Sequence, residues 1–275
     1  MVAVPIDDYL RTQFMPHIWC PGCGHGIILG AVLRAIGRLD LPKDEVCIVS
    51  GIGCASRAPG YLDFNTVHTT HGRALAFATG IKIARPDLHV IVLTGDGDAA
   101  AIGGNHLIHA ARRNVGLTTV MFNNSIYGMT NGQYSPMTPR GRYASTAPYG
   151  NVERNFDMCE LVRAAGGNYV ARATTAHARQ LSNYVENAIQ TPGFAFVEAV
   201  TQCPTYFGRR NKMGTPVDMI EWFRKNSINA AAAAKLDPAD LDGKIIIGEF
   251  YRGDAPEYTE VYDEVIERAK EAAAR

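Results

Sequence analysis

Residues 88–94, L-H-V-I-V-L-T, form a continuous apolar run that stops at Gly95-Asp96-Gly97. An apolar run without polar alternation reads as a strand buried on both faces, which implies a parallel sheet covered by helices on each side. The flanking pattern agrees. Residues 24–38 and 72–84 read as helices, the second stopped by Arg85-Pro86. Residues 46–50, 117–122 and 194–200 read as further strands, and 98–112 and 175–190 as further helices. The expected fold is therefore α/β, a doubly wound parallel sheet. After residue 203 the chain turns polar and basic. A helical stretch over 217–236 ends in five alanines, Lys244–Phe250 reads as a strand, and Tyr258–Arg275 as a charged amphipathic helix. This tail is too polar to bury much core alone, so 1–203 reads as the domain and 204–275 as an arm lying on it or on a partner.

In an open parallel sheet, ligands sit beyond the carboxyl ends of the strands. Gly95-Asp96-Gly97 lies at such an end and opens a helix whose free N–H groups favour phosphate. Asp96 offers a hard oxygen suited to Mg²⁺. Asn124 follows the next strand and returns to the same edge, where its side-chain oxygen and the Ile126 carbonyl could complete the protein's share of an octahedron. Gly128, Thr130 and Gly132 read as a flexible, donor-rich loop around the phosphates. G-D-G followed by N-N after one helix and one strand resembles the thiamine diphosphate fingerprint; plain turn chemistry is the bland alternative.

Cys20 and Cys23 (C-P-G-C), Cys54 and Cys203 form a second constellation. Cys54 and Cys203 each follow a strand-like segment, so they can converge on the sheet edge near the close pair. Four thiolates suit a [4Fe–4S] cluster or zinc, but one pair plus two remote singles is less typical of structural zinc. A thioredoxin-like redox pair lacks its preceding βαβ unit. Cys47 and Cys159 sit in apolar stretches and read as buried thiols. The formal net charge is zero, which gives no sign of nucleic acid or a membrane surface. No apolar run approaches a membrane span, and the N-terminus has neither basic nor apolar leader regions. A cytoplasmic location is expected, where thiols stay reduced.

W-C-P-G-C-G-H-G, G-I-G-C-A-S-R, H-T-T-H-G-R-A-L-A-F-A-T-G-I-K, G-D-G-D-A-A-A-I-G-G-N-H, N-N-S-I-Y-G-M-T-N-G-Q and C-P-T-Y-F-G-R-R-N together resemble the β subunit of 2-oxoacid:ferredoxin oxidoreductases, in particular the 2-oxoglutarate branch. The resemblance covers roughly residues 15–225. It implies a sheet of the thiamine diphosphate-binding type and reversible, CoA-dependent oxidative decarboxylation: 2-oxoglutarate, CoA and oxidised ferredoxin give succinyl-CoA, CO₂ and reduced ferredoxin. It carries Cys20, Cys23, Cys54 and Cys203 over as ligands of one [4Fe–4S] cluster, and Asp96, Asn124 and the Ile126 carbonyl as Mg²⁺ ligands. Gly95, Gly97, Asp98 and Thr130 fall around the diphosphate. It also implies an α subunit that supplies the cofactor-activating Glu, which this chain lacks, in an (αβ)n assembly. No ferredoxin-like cysteine run is present, so the single cluster would pass electrons directly to an external ferredoxin.

Two residues are candidates for acting on substrate. Arg57 could bind the distal carboxylate of 2-oxoglutarate through its planar fork, against an ordinary ion pair. His71 could donate to the diphosphate or a substrate oxygen, against a backbone-bonded residue at a helix start. His25 lines the cofactor or orients the cysteine loop. Arg209, Arg210 and Lys212 could steer an acidic ferredoxin or contact CoA, against a solvated basic turn. His106 and His109 read as helix-face residues. Specificity for pyruvate or another 2-oxoacid, a cluster-free thiamine diphosphate carboligase or decarboxylase half, and a zinc-bound scaffold remain the alternatives.

Overall fold

The computed structural model describes residues 4–275; the first three residues of the N-terminal segment read above lie outside it. Eight strands form one sheet: β1 Val46–Ser50, β2 Asn65–His68, β3 His89–Gly95, β4 Leu117–Asn123, β5 Tyr169–Thr174, β6 Ala195–Val200, β7 Ser227–Asn229 and β8 Ile245–Arg252. Their spatial order is β2-β1-β3-β4-β6-β5-β8-β7. Every neighbouring pair is parallel except β5 and β8.

Strand residues alternate between two cores, because successive side chains leave opposite faces of a strand. On β3, Ile91 and Leu93 enter the core beneath α1 (His25–Arg38) and α5 (Ala178–Gln190). Val90 and Val92 enter the opposite core with α2 (Ala74–Ala84), α3 (Gly104–Arg112) and α4 (Met158–Ala165). Val120 and Phe122 face the first core and Leu117 and Met121 the second. The sheet is thus covered on both faces, as the unbroken apolar strands predict. Each fully buried Ile, Leu or Phe contributes roughly 1.5–3 kcal/mol, so truncating Phe122 to Ala would cost about 3–5 kcal/mol.

One buried ion pair crosses the sheet. Arg172 of β5 and Glu198 of β6 are register partners, with Nε and Oε2 2.7 Å apart. Glu198 also accepts from Asn123 Nδ2 at 2.6 Å. Asn123, Glu198 and Arg172 therefore link the end of β4 through β6 to β5, and removing Arg172 alone would leave a buried charge unmatched.

Several elements differ from the sequence expectations. The strands β2 and β5 and the helix α4 are present where no regular element was expected. The helix expected over 98–112 is broken: a π-helical turn covers Gly97–Ile102, and α3 begins only at Gly104. The stretch expected as one helix over 217–236 is α6 (Pro216–Asn226), then β7, then α7 (Ala230–Ala233). Asn229 caps α7 by accepting from Ala231 N. Strand β8 adds antiparallel to β5, so the C-terminal segment continues the sheet itself. The last helix, α8 (Tyr258–Ala273), buries only Thr259. No helix among the described residues is long and apolar enough to cross a membrane.

Candidate active site

The spatial neighbours β1-β3-β4-β6 are the four strands whose carboxyl ends carry the chemistry. β1 leads to Cys54, β3 to Asp96, β4 to Asn124 and β6 to Cys203. Adjacent parallel strands lie about 4.8 Å apart, so residues far apart in sequence share one edge. A cavity of about 220 Å³ opens there, lined by Cys54, His71, Gly95, Asp96, Asn124 and Thr130 among others.

Asp96 is 2% exposed and its Oδ2 accepts from Ser135 Oγ at 2.6 Å. It forms no ion pair among the described residues. Burial pushes its carboxyl up to about 7, an effect the Ser135 bond and backbone donors only partly offset. A desolvated carboxylate with no cation beside it fits a site that takes a metal ion. Asn124 is buried on the same cavity, its Oδ1 accepting from Ile126 N at 3.3 Å. An amide oxygen has a second lone pair, so this bond fixes the side chain and still leaves it a donor to a cation. Asn123, in contrast, is committed to Glu198 and to Ser125 N. Of the two asparagines, the second faces the cavity with Asp96.

Gly97 also has a packing role. A Cβ on Gly97 would lie 2.2 Å from the Tyr127 ring, whose hydroxyl donates to Gly97 O at 3.1 Å. Gly97 is small so that Tyr127 can close the cavity floor. The loop after β4 is not free either. Tyr127 N donates to Gln133 O, Gly132 N to Tyr127 O, and Thr130 Oγ1 to Gln133 Oε1. Gly128 and Thr130 line the cavity, whereas Gly132 packs against Tyr206.

Asp98 is a structural clasp. Its Oδ1 accepts from Gly72 N at 2.6 Å and Ile52 N at 3.3 Å, and its Oδ2 accepts from Thr94 Oγ1 at 2.7 Å. His71 Nδ1 lies 2.7 Å from the same Oδ1. One buried carboxylate thereby joins the loops after β1 and β2 to the end of β3. These bonds draw the chain into the wide π-helical turn, a form that recurs at functional sites. With Nδ1 held by Asp98, Nε2 is the nitrogen of His71 left for a ligand.

The four singled-out cysteines converge. Cys20, Cys54 and Cys203 each stand close enough to Cys23 to raise its pKa electrostatically, although burial is the larger cause; together they push it up to about 12. Burial likewise pushes Cys54 up to about 11, with Cys203, Cys20 and Asp96 adding to it. All four are free thiols. Among the described residues no three His, Cys, Asp or Glu groups form a ready-made metal-holding arrangement. Protonated thiols without a shared cation have no reason to draw together. Backbone N–H groups nonetheless point at the sulfurs, from His25 to Cys23 and from Phe207 and Tyr206 to Cys203. Such bonds stabilise thiolate ligands and help set cluster potentials. The donor set therefore fits a thiolate-bound cluster. Cys47 and Cys159 are buried in the sheet core away from this group.

Gln202, which the sequence reading passed over, holds the cysteine loop in place. Its Nε2 donates to Gly22 O at 3.1 Å, its Oε1 accepts from Thr175 Oγ1 at 2.7 Å, and its carbonyl accepts from Gly24 N at 3.3 Å. A Cβ on Gly24 would lie 2.1 Å from Thr201 Oγ1, so only glycine lets the loop approach β6 this closely. Pro216 at the start of α6 covers Gly22 from the other side. Ser135 and Tyr127 were given no role in the sequence reading; Tyr127 lines the cavity, and Ser135 reaches Asp96 from the loop beyond β4. Arg57 is exposed on the 3₁₀ segment Ala55–Tyr61, outside the cavity lining.

The family described as "Thiamine pyrophosphate enzyme, C-terminal TPP binding domain" matches residues 51–199. That span includes Cys54, Asp96 and Asn124 and excludes Cys20, Cys23 and Cys203. The 2-oxoglutarate synthase subunit KorB of Methanothermobacter marburgensis is 55% identical over 253 residues, covering 92% of this chain and 89% of that protein. KorB of Methanocaldococcus jannaschii is 53% identical over 266 residues, covering 97% and 98%. Among solved structures, the 2-oxoglutarate:ferredoxin oxidoreductase from Magnetococcus marinus with 2-oxoglutarate, coenzyme A and succinyl-CoA bound superposes with a TM-score of 0.86 at 36% identity, over 98% of this chain and 92% of that one. The chain belongs to the thiamine pyrophosphate enzymes and, within them, to the KorB subunits of 2-oxoglutarate synthase.

Proposed function

We propose that this chain is the cofactor-bearing subunit of a 2-oxoglutarate:ferredoxin oxidoreductase that forms succinyl-CoA and CO₂ from 2-oxoglutarate and CoA. One observation carries this reading beyond kinship: Cys54 belongs to both constellations. It lines the Asp96 cavity and interacts electrostatically with Cys20, Cys23 and Cys203. A cofactor and an electron acceptor held on either side of one residue suit oxidation of a bound 2-oxoacid. A cluster-free carboligase half or a zinc scaffold leaves one constellation without use.

Asp96, Asn124 and the Ile126 carbonyl would hold Mg²⁺, and the Gly95–Asp98 turn with Thr130 would hold the diphosphate. Cys20, Cys23, Cys54 and Cys203 would hold one [4Fe–4S] cluster. When bound, thiamine diphosphate supplies the carbanion chemistry that releases CO₂ from a 2-oxoacid, and the cluster takes electrons singly. The chain's own residues bind and orient. Asp98 fixes His71 so that Nε2 meets a ligand oxygen, and the Tyr127 ring closes the floor over Gly97. His71→Gln is expected to lower both cofactor affinity and turnover. Arg57 is the proposed partner of the distal carboxylate, and Arg57→Leu should raise KM for 2-oxoglutarate far more than for pyruvate.

No glutamate lines the cavity among the described residues. Its rim carries Ile52 and Met129, both more than 40% exposed. Apolar side chains at the mouth of a site suit a covering subunit. These observations support an α subunit that supplies the activating Glu and completes the 2-oxoacid and CoA sites in an (αβ)n complex. Arg209, Arg210 and Lys212 would steer ferredoxin, and the location would be cytoplasmic. The test is ferredoxin reduction by the αβ complex with 2-oxoglutarate and CoA. Turnover must require both subunits and both substrates; activity from this chain alone, or without CoA, would refute the reading.

A further inference from the structure

The last helix, α8, leaves the body of the protein with its apolar side uncovered. Its start is held: Glu257 Oε1 accepts from Gly116 N at 2.6 Å, and Tyr258 N donates to Asn114 O at 3.1 Å. Tyr258 still packs on the core that contains α2, α3 and α4. From Glu260 to Arg275 every residue is exposed. Val261, Tyr262, Val265 and Ile266 nonetheless recur at helical spacing, each between 38% and 48% exposed. The Tyr258 and Tyr262 rings stack along the same stripe, 5.8 Å apart. A short helix with nothing to pack on is marginal in water, and an apolar stripe of this kind is stable when covered.

Two gradients run along α8. Tyr258, Val261, Tyr262 and Val265 make the stripe bulky in its first half, and Ala269, Ala272 and Ala273 make it thin in its second. Glu260, Asp263, Glu264 and Glu267 crowd the first half, whereas Arg268, Lys270 and Arg275 lie in the second with Glu271 as the single acid. A copy of the same helix running the other way meets both gradients. With Val265 opposite Val265 at the centre, Tyr258 faces Ala272 of the other copy and Val261 faces Ala269, so large residues meet small ones. Glu264 and Arg268 share one flank, where Arg268 Nε donates to Glu264 O. Like flanks meet in a two-fold antiparallel pair. Glu264 therefore lies within about 3 Å, measured along the axis, of the other copy's Arg268. A parallel pair would instead set the acidic halves together and stack alanine on alanine.

The origin of α8 agrees with this. Gly116 precedes β4, so α8 springs from the sheet edge opposite the Asp96 cavity, away from the rim assigned to the α subunit. Its mainly acidic polar face does not suit an anionic membrane surface.

We propose that α8 is a self-association surface that pairs antiparallel, about Val265, with α8 of a second copy of this chain. The pairing joins two αβ units at the edges away from their cavities. It goes beyond the function proposed above and does not depend on it.

Sedimentation of the αβ complex counts the copies, and wild type should hold two copies of this chain. Val265→Glu sets two carboxylates against each other at the centre of the pair. It should weaken the pairing at least about a hundredfold and leave one αβ unit, with its melting temperature unchanged because residue 265 is exposed in its own chain. Glu264→Arg and Arg268→Glu, co-expressed with different tags, test the direction. Each sets like charges together when paired with itself and opposite charges when paired with the other. At low salt, mixed complexes should therefore exceed their statistical share, although neither variant keeps the Glu264–Arg268 pair within one helix. A wild-type complex with a single copy, an unchanged mass in Val265→Glu, or a statistical mixture of the tagged chains would overturn the proposal. Loss of the α subunit from Val265→Glu would also overturn it, since α8 would then be that subunit's seat. Ferredoxin reduction by the single αβ unit tests the proposed function separately.

Discussion

Ser135 donates its hydroxyl to Asp96 across 2.6 Å, the one hydrogen bond this buried carboxylate receives from another side chain among the described residues. The two come from different parts of the chain, the end of β3 and the loop beyond β4. That loop is itself pinned, since Thr138 Oγ1 donates to Ser125 O at 2.6 Å. One hydroxyl and the backbone donors of the turn only partly compensate a carboxylate taken out of water. A cation bound there, as proposed above, would offset that desolvation.

Asp96→Asn separates those two effects. The amide keeps an acceptor for Ser135 and removes the charge. The cofactor-free variant should melt at the wild-type temperature or a few degrees above it. Its Mg²⁺-dependent affinity for thiamine diphosphate should fall at least about a hundredfold. Calorimetry and thermal melts on the same preparations measure both, and undiminished affinity would contradict the role given to Asp96.

The raised carboxyl also sets a pH dependence. Asp96 holds its proton up to about 7 in the folded chain, because burial disfavours the charged form; unfolded, it ionises in the usual carboxylate range. Its stabilising contribution is complete below the unfolded value and is lost as pH rises through about 7. The ceiling on this loss is about 4 kcal/mol at 1.36 kcal/mol per unit. Urea melts of cofactor-free wild type should therefore fall off more steeply between about pH 4 and 7 than those of Asp96→Asn. Saturating Mg²⁺ and thiamine diphosphate should flatten the difference, because the cation takes the proton's place. Equal pH slopes in the two proteins would show that Asp96 does not titrate in this window.

Gln202→Leu tests how the cysteine site is held. The substitution keeps an apolar stem at this position and removes the bonds to Gly22 O and Thr175 Oγ1. Leaving the buried Thr175 hydroxyl unpaired should cost about 2 kcal/mol. It should also loosen Cys20 and Cys23 relative to Cys203, so iron should be lost to a chelator several-fold faster than from wild type. An unchanged rate of loss would mean that the backbone bond from Gly24 N to the residue-202 carbonyl and the packing on Pro216 suffice to hold the loop.

The strands and motif positions were readable because they follow from short-range rules. β3 and β4 are unbroken apolar runs, and Gly95-Asp96-Gly97 and Asn124 fall at their ends. β5 was missed because Arg172 interrupts its apolar pattern; only the structure shows that Glu198 stands opposite and neutralises it. β2 was missed because it is a half-exposed edge strand. The break at Gly103 comes from contacts of Asp98 with Ile52 and Gly72, which no local pattern records. Asp98 itself was placed at the diphosphate by resemblance, and its geometry is that of a clasp for His71 and the neighbouring loops. Ser135, Tyr127 and Gln202 act through partners more than twenty-five residues away, beyond the reach of motif spacing.

The most direct test of the central claim is an anaerobic EPR spectrum of the αβ complex mixed with 2-oxoglutarate and CoA in the absence of ferredoxin. The account predicts a fast-relaxing spin-half signal of a reduced [4Fe–4S] cluster, lost on Cys54→Ala substitution and dependent on bound thiamine diphosphate. A complex that binds thiamine diphosphate and consumes 2-oxoglutarate with no such signal would contradict it.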